Sequence, residues 1–170
     1  MRKLLCLAVP VITAGAAHAG GIELTVEIPK LSVAEYHRPY VAIWIEDASG
    51  KVAANLSVWY DVDLKDSEGE KWLKDIRQWW RRTGRTLNMP MDGVSSPTKA
   101  PGVNKVTFPS DKGALAKLAP GEYKLVGEAT REVGGKEMVE IPFKWAPGAE
   151  ATASAKGTEE LGAITLKLTK

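Results

Sequence analysis

Apolar and polar residues alternate along the first part of the chain in short runs that end at turns. In residues 22–28, IELTVEI, every second residue is apolar, which is the period of a strand with one buried face. Residues 40–46 and 51–60 are more uniformly apolar, and the Asp-Ala-Ser-Gly sequence at 47–50 is typical of a turn. These runs predict a first strand followed by a hairpin.

A second hairpin is predicted in the later part of the chain. Residues 122–133 and 136–145 are two long strand-like runs, and they are separated by Gly134 and Gly135. A tight two-residue turn needs positive φ, which glycine adopts readily, so the glycine pair is a strong hairpin signal. The turn is therefore predicted at these two glycines.

The remaining runs complete an all-β pattern. Residues 104–108 and 161–168 are predicted strands, whereas residues 146–157 are rich in Ala, Pro, Gly and Ser and are predicted to be a surface connection. Many short strands with turns between them are typical of a two-sheet sandwich. We therefore predict an all-β fold, an immunoglobulin-like antiparallel β-sandwich with one short helix and a long central loop.

The predicted helix carries three of the tryptophans. Trp72, Ile76, Trp79 and Trp80 recur at helical spacing, which predicts a short amphipathic helix with one buried face. Adjacent side chains cannot both face inward on one helix, so either Trp79 or Trp80 is expected to be partly exposed. The other tryptophans lie on strand patterns and are predicted to fill the sandwich core: Trp44, Trp59 and Trp145.

An exposed indole beside several arginines would form a binding surface. Stacking together with charge-assisted hydrogen bonds suits a planar anionic ligand or a protein partner. The alternative is that the tryptophans pack into the core and the basic turn is only solvated. The predicted partner or ligand surface comprises Trp79, Trp80, Arg81, Arg82 and Arg85.

The N-terminal residues predict export. Arg2 and Lys3 precede an apolar run at 4–17, and Ala-His-Ala at 17–19 is a small-x-small cleavage pattern, so residues 1–19 are predicted to be a signal peptide. A transmembrane helix is disfavoured because the run is short and contains Pro10. Residues 20–170 are then predicted to be a single periplasmic domain that is not embedded in the membrane.

Composition and charge exclude several functional classes. The chain has 170 residues, of which 44% are hydrophobic and 26% charged, as in an ordinary globular protein. Loss of Arg2 and Lys3 from the 23 basic residues leaves 21 against 21 acidic ones, so no strong positive field for nucleic acid is expected. Cys6 lies in the signal, and the mature chain therefore has no thiol for a disulfide or metal site.

The sequence offers little for catalysis or metal binding. His37 is the only histidine of the mature chain and has no motif around it, which favours an ordinary loop histidine over a catalytic triad. An acidic run could offer oxygen ligands to calcium, but Lys65 occupies a ligand position and a solvated loop is favoured. We predict no catalytic residue and no metal site. The acidic run comprises Asp61, Asp63, Asp66, Glu68 and Glu70.

Four segments, WWRRTGR, MDGVSSPTKAPG, LAPGEYKLVGEATREVGG and ELGAITLKL, carry a resemblance that covers nearly the whole mature chain. In them the chain resembles a DUF family of predicted periplasmic proteins, sometimes labelled flagellar hook-capping-like. The resemblance implies a periplasmic accessory protein, because this family is often found alongside PepSY-type membrane reductases and flavin transferases. These two proteins are the partners that it implies.

The central loop also looks like the acceptor sequence for covalent FMN, Asp-x-x-Ser/Thr-Gly-Ala-Ser/Thr. Asp92, Ser95 and Thr98 fall at matching positions, and Lys99 follows the would-be acceptor Thr98. Ser-Pro at 96–97 replaces Gly-Ala, and the proline fixes φ and removes an amide donor. A degenerate loop that keeps only the shape is the competing interpretation. As a set, the residues implied to bind the cofactor are Asp92, Ser95, Thr98 and Lys99.

Two functional hypotheses follow, and neither makes the protein an enzyme. The first is an exported periplasmic accessory protein that carries covalent FMN and passes electrons with a membrane reductase, the flavin doing the redox chemistry. The second is a non-redox binding or interaction module that docks through its Trp/Arg surface. A hydrolase or metal enzyme is disfavoured by the shortage of His and Cys.

Overall fold

A computed structural model describes residues 20–146 and 148–170; the predicted signal peptide lies outside the described residues. The described residues form nine strands in two sheets, of four strands in the order β5-β1-β9-β8 and of five in the order β4-β3-β2-β6-β7. The strands are β1 Gly21–Ile28, β2 Tyr40–Asp47, β3 Val52–Tyr60, β4 Ser95–Pro97, β5 Gly102–Pro109, β6 Gly121–Thr130, β7 Lys136–Trp145, β8 Ala151–Lys156 and β9 Ala163–Thr169.

The two sheets pack through their alternating apolar faces, which confirms the predicted all-β sandwich. In β1, for example, Ile22, Leu24 and Val26 are buried while Glu23 points out, as the period of two requires. Trp59 and Trp145 lie in this inter-sheet core, as predicted. Neighbouring strands are antiparallel, except that the three-residue edge strand β4 pairs with β3 in parallel.

A second apolar cluster covers the outer face of the five-stranded sheet. Trp44 belongs to it, so this residue is buried as predicted but lies outside the inter-sheet core. Leu73, Ile76 and Trp79, from the segment after β3, close the cluster. Both faces of the five-stranded sheet are therefore covered with apolar side chains.

The covering segment is helical, but it is not one amphipathic helix. Turns of 3₁₀ helix span Lys65–Asp75, interrupted by left-handed backbone at Asp66 and Ser67 (φ of 55° and 54°). An α-helix, α1, spans Arg77–Arg82, and a 3₁₀ turn spans Gly84–Thr86. The chain changes direction at Ile76, where ψ is +77°, so Trp72 and Trp79 are not on one helix face. Trp72 is 50% exposed and Trp79 is fully buried. The predicted helix is therefore correct only for its second half.

Two details of the strands differ from the sequence prediction. Residues 151–156 were predicted to be part of a surface connection, but they form the edge strand β8. The strand is held by backbone pairing with β9, and its Ala, Thr and Ser side chains give no strand signal in the sequence. The β6–β7 hairpin is correct, but the residue with positive φ in its turn is Val133, at 51°. Glycine is needed at 134 and 135 for lack of space, because a Cβ would collide with Arg131 at Gly134 and with Glu160 at Gly135.

A 3₁₀ turn also spans Gly113–Leu115 between β5 and β6. Within the described residues, no helix is both long and apolar enough to cross a membrane.

Candidate functional site

A cleft of about 640 Å³ lies at one end of the five-stranded sheet. Register explains its position: Tyr40 pairs with Thr130, Thr130 pairs with Lys136, and Tyr60 pairs with Pro97. The ends of β4, β3 and β6 and the starts of β2 and β7 therefore meet at the same end of the sheet. The residues that line the cleft at these strand ends, or directly beyond them, are Thr98, Asp61, Tyr40, Thr130, Arg131 and Lys136.

Three exposed apolar side chains lie on the rim of the cleft. Leu64 and Trp72, from the helical segment, and Val133, from the β6–β7 turn, line it and are 46%, 50% and 75% exposed. Lys74 Nζ lies 5.6 Å from the centroid of the Trp72 ring and covers one of its faces. The chain has six tryptophans, and Trp72 is the one that the structure leaves half in solvent. Exposed apolar residues grouped around a concavity are typical of a binding site.

A hydrogen-bonded group forms the wall at the β3–β4 side. Thr98 Oγ1 donates to Asp61 Oδ1 at 3.2 Å, and the Tyr40 hydroxyl lies 3.4 Å from Asp61 Oδ2. Burial raises the pKa of Tyr40 to about 12, and the nearby Asp61 charge adds to the shift, so its hydroxyl stays protonated at neutral pH. Thr98 itself is only 9% exposed.

A buried ion pair forms the wall at the β6 side. Arg131 is 8% exposed, and its Nε and Nη2 donate to the two carboxylate oxygens of Glu160 at 2.9 and 3.0 Å. Its Nη1 is buried without a hydrogen-bond partner among the described residues, as is the hydroxyl of Tyr36. The Tyr36 ring lies over the guanidinium, with its centroid 6.0 Å from Arg131 Cζ. Two donors at this wall are therefore left unused.

His37 lines the cleft but is not arranged for catalysis. Its Nε2 lies 2.8 Å from Glu35 Oε1 and its Nδ1 lies 3.5 Å from Glu132 Oε2. Both ring nitrogens thus face exposed carboxylates and not a nucleophilic hydroxyl. No group of three or more His, Cys, Asp or Glu side chains able to hold a metal occurs in residues 20–146 and 148–170.

The four residues implied to bind FMN do not gather at one place. Thr98 lines the large cleft. Ser95 and Lys99 line a separate hollow of about 390 Å³, where Lys99 Nζ lies 5.7 Å from the Trp59 ring centroid. Ser95 Oγ also accepts a hydrogen bond from the backbone N–H of Met91 at 2.9 Å. Asp92 is exposed and lines neither space.

The predicted Trp/Arg surface is only partly a surface. Trp79 is fully buried and its indole N–H donates to Asn55 Oδ1 at 2.9 Å, so it belongs to the core, which corrects its assignment to a surface. Trp80 is partly exposed, as one of the two indoles was expected to be. Arg82 is 39% exposed, as a surface residue should be, but its Nη1 already donates to the Gly50 carbonyl at 2.8 Å and contacts Glu46 at 3.1 Å. Arg81 and Arg85 are exposed.

Sequence reasoning missed most of the cleft. Tyr36 and Tyr40 share one segment, whereas Asp61 and Arg131 come from two others, and no local motif joins the three segments. The one local signal is the aromatic and basic sequence Tyr-His-Arg-Pro-Tyr at 36–40, which supplies four of the lining residues. The exposed indole at this site is Trp72, which the helical spacing had placed on a buried face.

Comparison with known proteins gives a single positive result. A family model described as "Predicted periplasmic protein (DUF2271)" matches residues 21–163. The match confirms that the four segments belong to a DUF family of predicted periplasmic proteins. It also confirms the periplasmic location predicted from the N-terminus. No curated protein and no solved structure matches the chain.

Proposed function

We propose, from the premise that the chain belongs to the DUF2271 family of predicted periplasmic proteins, that it is a binding module whose cleft takes a planar aromatic ligand. The observation that carries this proposal is Trp72, a half-exposed indole on the rim of the cleft in a protein that buries its other tryptophans wholly or partly. A planar ligand that stacks on this ring would remove its apolar surface from water.

The dimensions and lining of the cleft support a small-molecule ligand. Its volume of about 640 Å³ is within the usual range for ligand pockets, roughly 300–1,000 Å³. Aromatic and aliphatic side chains are combined there with a few polar groups, which is the usual division between affinity and orientation. The rim residues Leu64 and Val133 would lie against the edges of a bound ring system.

Titration with riboflavin, a planar and uncharged probe, tests the proposal. Binding is followed by quenching of flavin fluorescence. We expect saturable binding to the mature protein and a loss of about 5- to 150-fold in affinity for Trp72→Ala, since stacking on an aromatic ring contributes about 1–3 kcal/mol. Trp80→Phe is the matched control, because it also removes one indole but lies outside the cleft. Equal affinity for native protein and Trp72→Ala would refute this role for the cleft.

Covalent FMN carriage is the second candidate, favoured by the position of Thr98. Its hydroxyl lies in the wall of the cleft and donates to Asp61, which would orient the oxygen and take up its proton. A flavin transferase would form the bond from Thr98 Oγ to the FMN phosphorus of FAD, break the pyrophosphate bond and release AMP. The protein would then carry electrons for a PepSY-type membrane reductase, with the flavin supplying the redox chemistry.

Attachment at Thr98 requires the segment to open, because the residue is 9% exposed. It directly follows β4, an edge strand of three residues, and such short edge elements are the least costly to open. Co-expression of the chain with a flavin transferase, followed by intact-mass measurement, tests this candidate. The expected result is a mass gain that Thr98→Val abolishes and that Thr152→Val, at an exposed threonine of β8, retains. An unmodified mass, or a gain that persists in Thr98→Val, would refute flavin attachment at this residue.

The exposed part of the Trp/Arg surface is the proposed docking site for the reductase. Trp80, Arg81 and Arg85 remain accessible there, and two guanidinium groups favour an acidic partner surface. Charge reversal in Arg81→Glu/Arg85→Glu should weaken association with the purified reductase and reduce its salt dependence. Arg77→Glu, an exposed arginine at the start of α1, is the matched control. Unchanged association in the double variant would exclude this surface.

A further inference from the structure

We infer that the β6 side of the cleft is an oxyanion subsite, in which Arg131 Nη1 and the Tyr36 hydroxyl donate to a carboxylate or phosphate group of the ligand. The inference rests on the proposed function, because it assigns the polar end of the molecule whose ring would stack on Trp72. It concerns the residues of the cleft wall only, and it does not depend on Thr98.

The first observation is the unused side of a buried guanidinium. Arg131 has five N–H donors in one plane, and Glu160 takes those directed from Nε and Nη2. The two N–H groups of Nη1 have no partner among the described residues although the side chain is over nine-tenths buried. Buried donors are almost always paired in folded proteins, since an unmade hydrogen bond is costly. A ligand oxygen that reached Nη1 would supply an acceptor at this position.

The second observation is an independent donor at the same place. The Tyr36 ring packs over the guanidinium of Arg131, and its hydroxyl is also buried without a partner. Burial raises the pKa of Tyr36, which keeps the hydroxyl protonated and able to donate at neutral pH. The N–H groups of Arg131 Nη1 can only donate, whereas the Tyr36 hydroxyl can donate or accept, so a ligand oxyanion suits both groups and the guanidinium disfavours a cation.

Glu160 fixes the geometry of the subsite. Its Oε1 accepts from the backbone N–H of Gly135 at 2.7 Å as well as from Arg131, so the carboxylate and the guanidinium are held together. Gly134 and Gly135 are close to this pair, and neither position has room for a Cβ. The glycines thus let the turn approach the pair closely.

The charges that line the cleft do not by themselves favour an anion. Glu160 neutralises Arg131, so hydrogen bonding is the main contribution of the guanidinium itself. Two basic side chains, Arg38 and Lys136, line the cleft, and they are opposed by three acidic ones, Asp61, Asp75 and Glu132. The affinity for a ligand oxyanion would therefore be set by donor geometry and not by a positive field.

The subsite is distinct from the threonine that would accept FMN. Thr98 follows β4 and Arg131 follows β6, which are three strand spacings apart in the sheet. At about 4.8 Å per spacing the two residues are roughly 14 Å apart along the cleft. A phosphoester on Thr98 would consequently not occupy this position, and the two proposals can be tested separately.

Small oxyanions test the subsite directly, without any assumption about the ring. Thermal unfolding of the mature protein is measured in phosphate, acetate and chloride at equal ionic strength. We expect phosphate or acetate to raise the Tm of the native protein, and the anion with the larger effect identifies the preferred group. Tyr36→Phe, which removes only an unpartnered hydroxyl, should keep the basal Tm and lose most of the anion effect. Tyr40→Phe, the other cleft tyrosine, should keep the anion effect. Stabilisation that is equal in all three proteins, or absent, would overturn the inference.

A pair of flavins separates this inference from the proposed function. FMN and riboflavin share the ring system and differ by the phosphate, so FMN should bind about tenfold more tightly, the effect of a hydrogen bond to a charged group. Tyr36→Phe should remove that difference and leave riboflavin affinity unchanged. If riboflavin binds and FMN binds no better, the subsite is refuted while the stacking role stands. If riboflavin fails to bind but phosphate or acetate stabilises the protein through Tyr36, the stacking role fails and the subsite stands.

Discussion

The carboxylate of Glu128 on β6 accepts a hydrogen bond from the backbone N–H of Trp79 in α1 at 2.9 Å. It also accepts from the backbone N–H of Gln78, with both carboxylate oxygens within 3.0 Å of that nitrogen. The first N–H groups of a helix have no partner within the helix, and here a side chain from the sheet supplies one. This contact joins the helical cover to the sheet across 49 positions of sequence.

Replacement of Glu128 by alanine should therefore destabilise the protein by about 2–3 kcal/mol, because it leaves two backbone donors unpaired in a largely buried position. Urea unfolding followed by tryptophan fluorescence measures the change. Glu122→Ala is the matched control on the same strand, since its side chain is 69% exposed, and it should change stability by less than about 0.5 kcal/mol. Equal stability of the two variants would contradict a capping role for Glu128.

Gly84 provides a second test of the helical cover. A Cβ at this position would lie 2.6 Å from Cζ3 of the Trp79 ring, which is itself fully buried. Gly84→Ala should thus displace the indole and cost about 1–3 kcal/mol in the free energy of unfolding. In Gly121→Ala the nearest atom would be at 3.4 Å, an ordinary contact, and little loss is expected. A stable Gly84→Ala variant with an unchanged tryptophan emission maximum would contradict this packing.

The sandwich was predictable because its main strands bury one face or both. Strict alternation in β1 and the apolar runs of β2 and β3 are local signals of that burial, and they locate the strands to within one or two residues. The edge strand β8 was missed because pairing at an edge requires backbone groups and not apolar side chains. Only the second half of the helical segment was predicted correctly, because its bend at Ile76 changes which residues face the sheet.

The candidate site was much less predictable than the fold. Thr98 is the one residue of the flavin-acceptor resemblance that lines the cleft, and its partner Asp61 is 37 positions away. The Arg131–Glu160 pair spans 29 positions, and although both residues lie in segments that carry the family resemblance, no local pattern pairs them. Contacts of this kind depend on strand order, which one sequence does not reveal. The glycine pair at 134–135 was noticed, but for its turn and not for the close approach to the pair.

For the buried Arg131–Glu160 ion pair, removal of one partner should cost more stability than replacement of both. Glu160→Ala leaves a buried guanidinium without its counter-ion and should cost about 3–5 kcal/mol. Replacement of both partners, in Arg131→Met/Glu160→Leu, should recover much of that loss because no uncompensated charge remains. Glu23→Ala, which breaks the exposed pair with Lys167 at 3.5 Å, is the control and should have a small effect. If the double variant were no more stable than Glu160→Ala, the two side chains would not act as a pair.

Glu137 gives the protein a predictable response to acid. Burial tends to raise the pKa of its carboxyl, but the backbone N–H groups of Thr158, Leu161 and Glu159 outweigh this and lower the pKa below its ordinary value of 4.5. The folded state therefore binds this proton less readily than the unfolded state. The resulting stabilisation is present above the ordinary pKa and is lost as the pH falls through the lowered pKa of the folded protein.

Glu137→Gln should consequently be less stable than the native protein at about pH 7, and the difference should shrink between about pH 5 and pH 3. Urea unfolding at a series of pH values measures both curves. Glu140→Gln is the control on the same strand, because its carboxylate bonds to Lys124 and not to backbone N–H groups. A stability difference for Glu137→Gln that stays constant down to about pH 3 would mean that the three backbone donors do not hold the ionised carboxylate in the folded state.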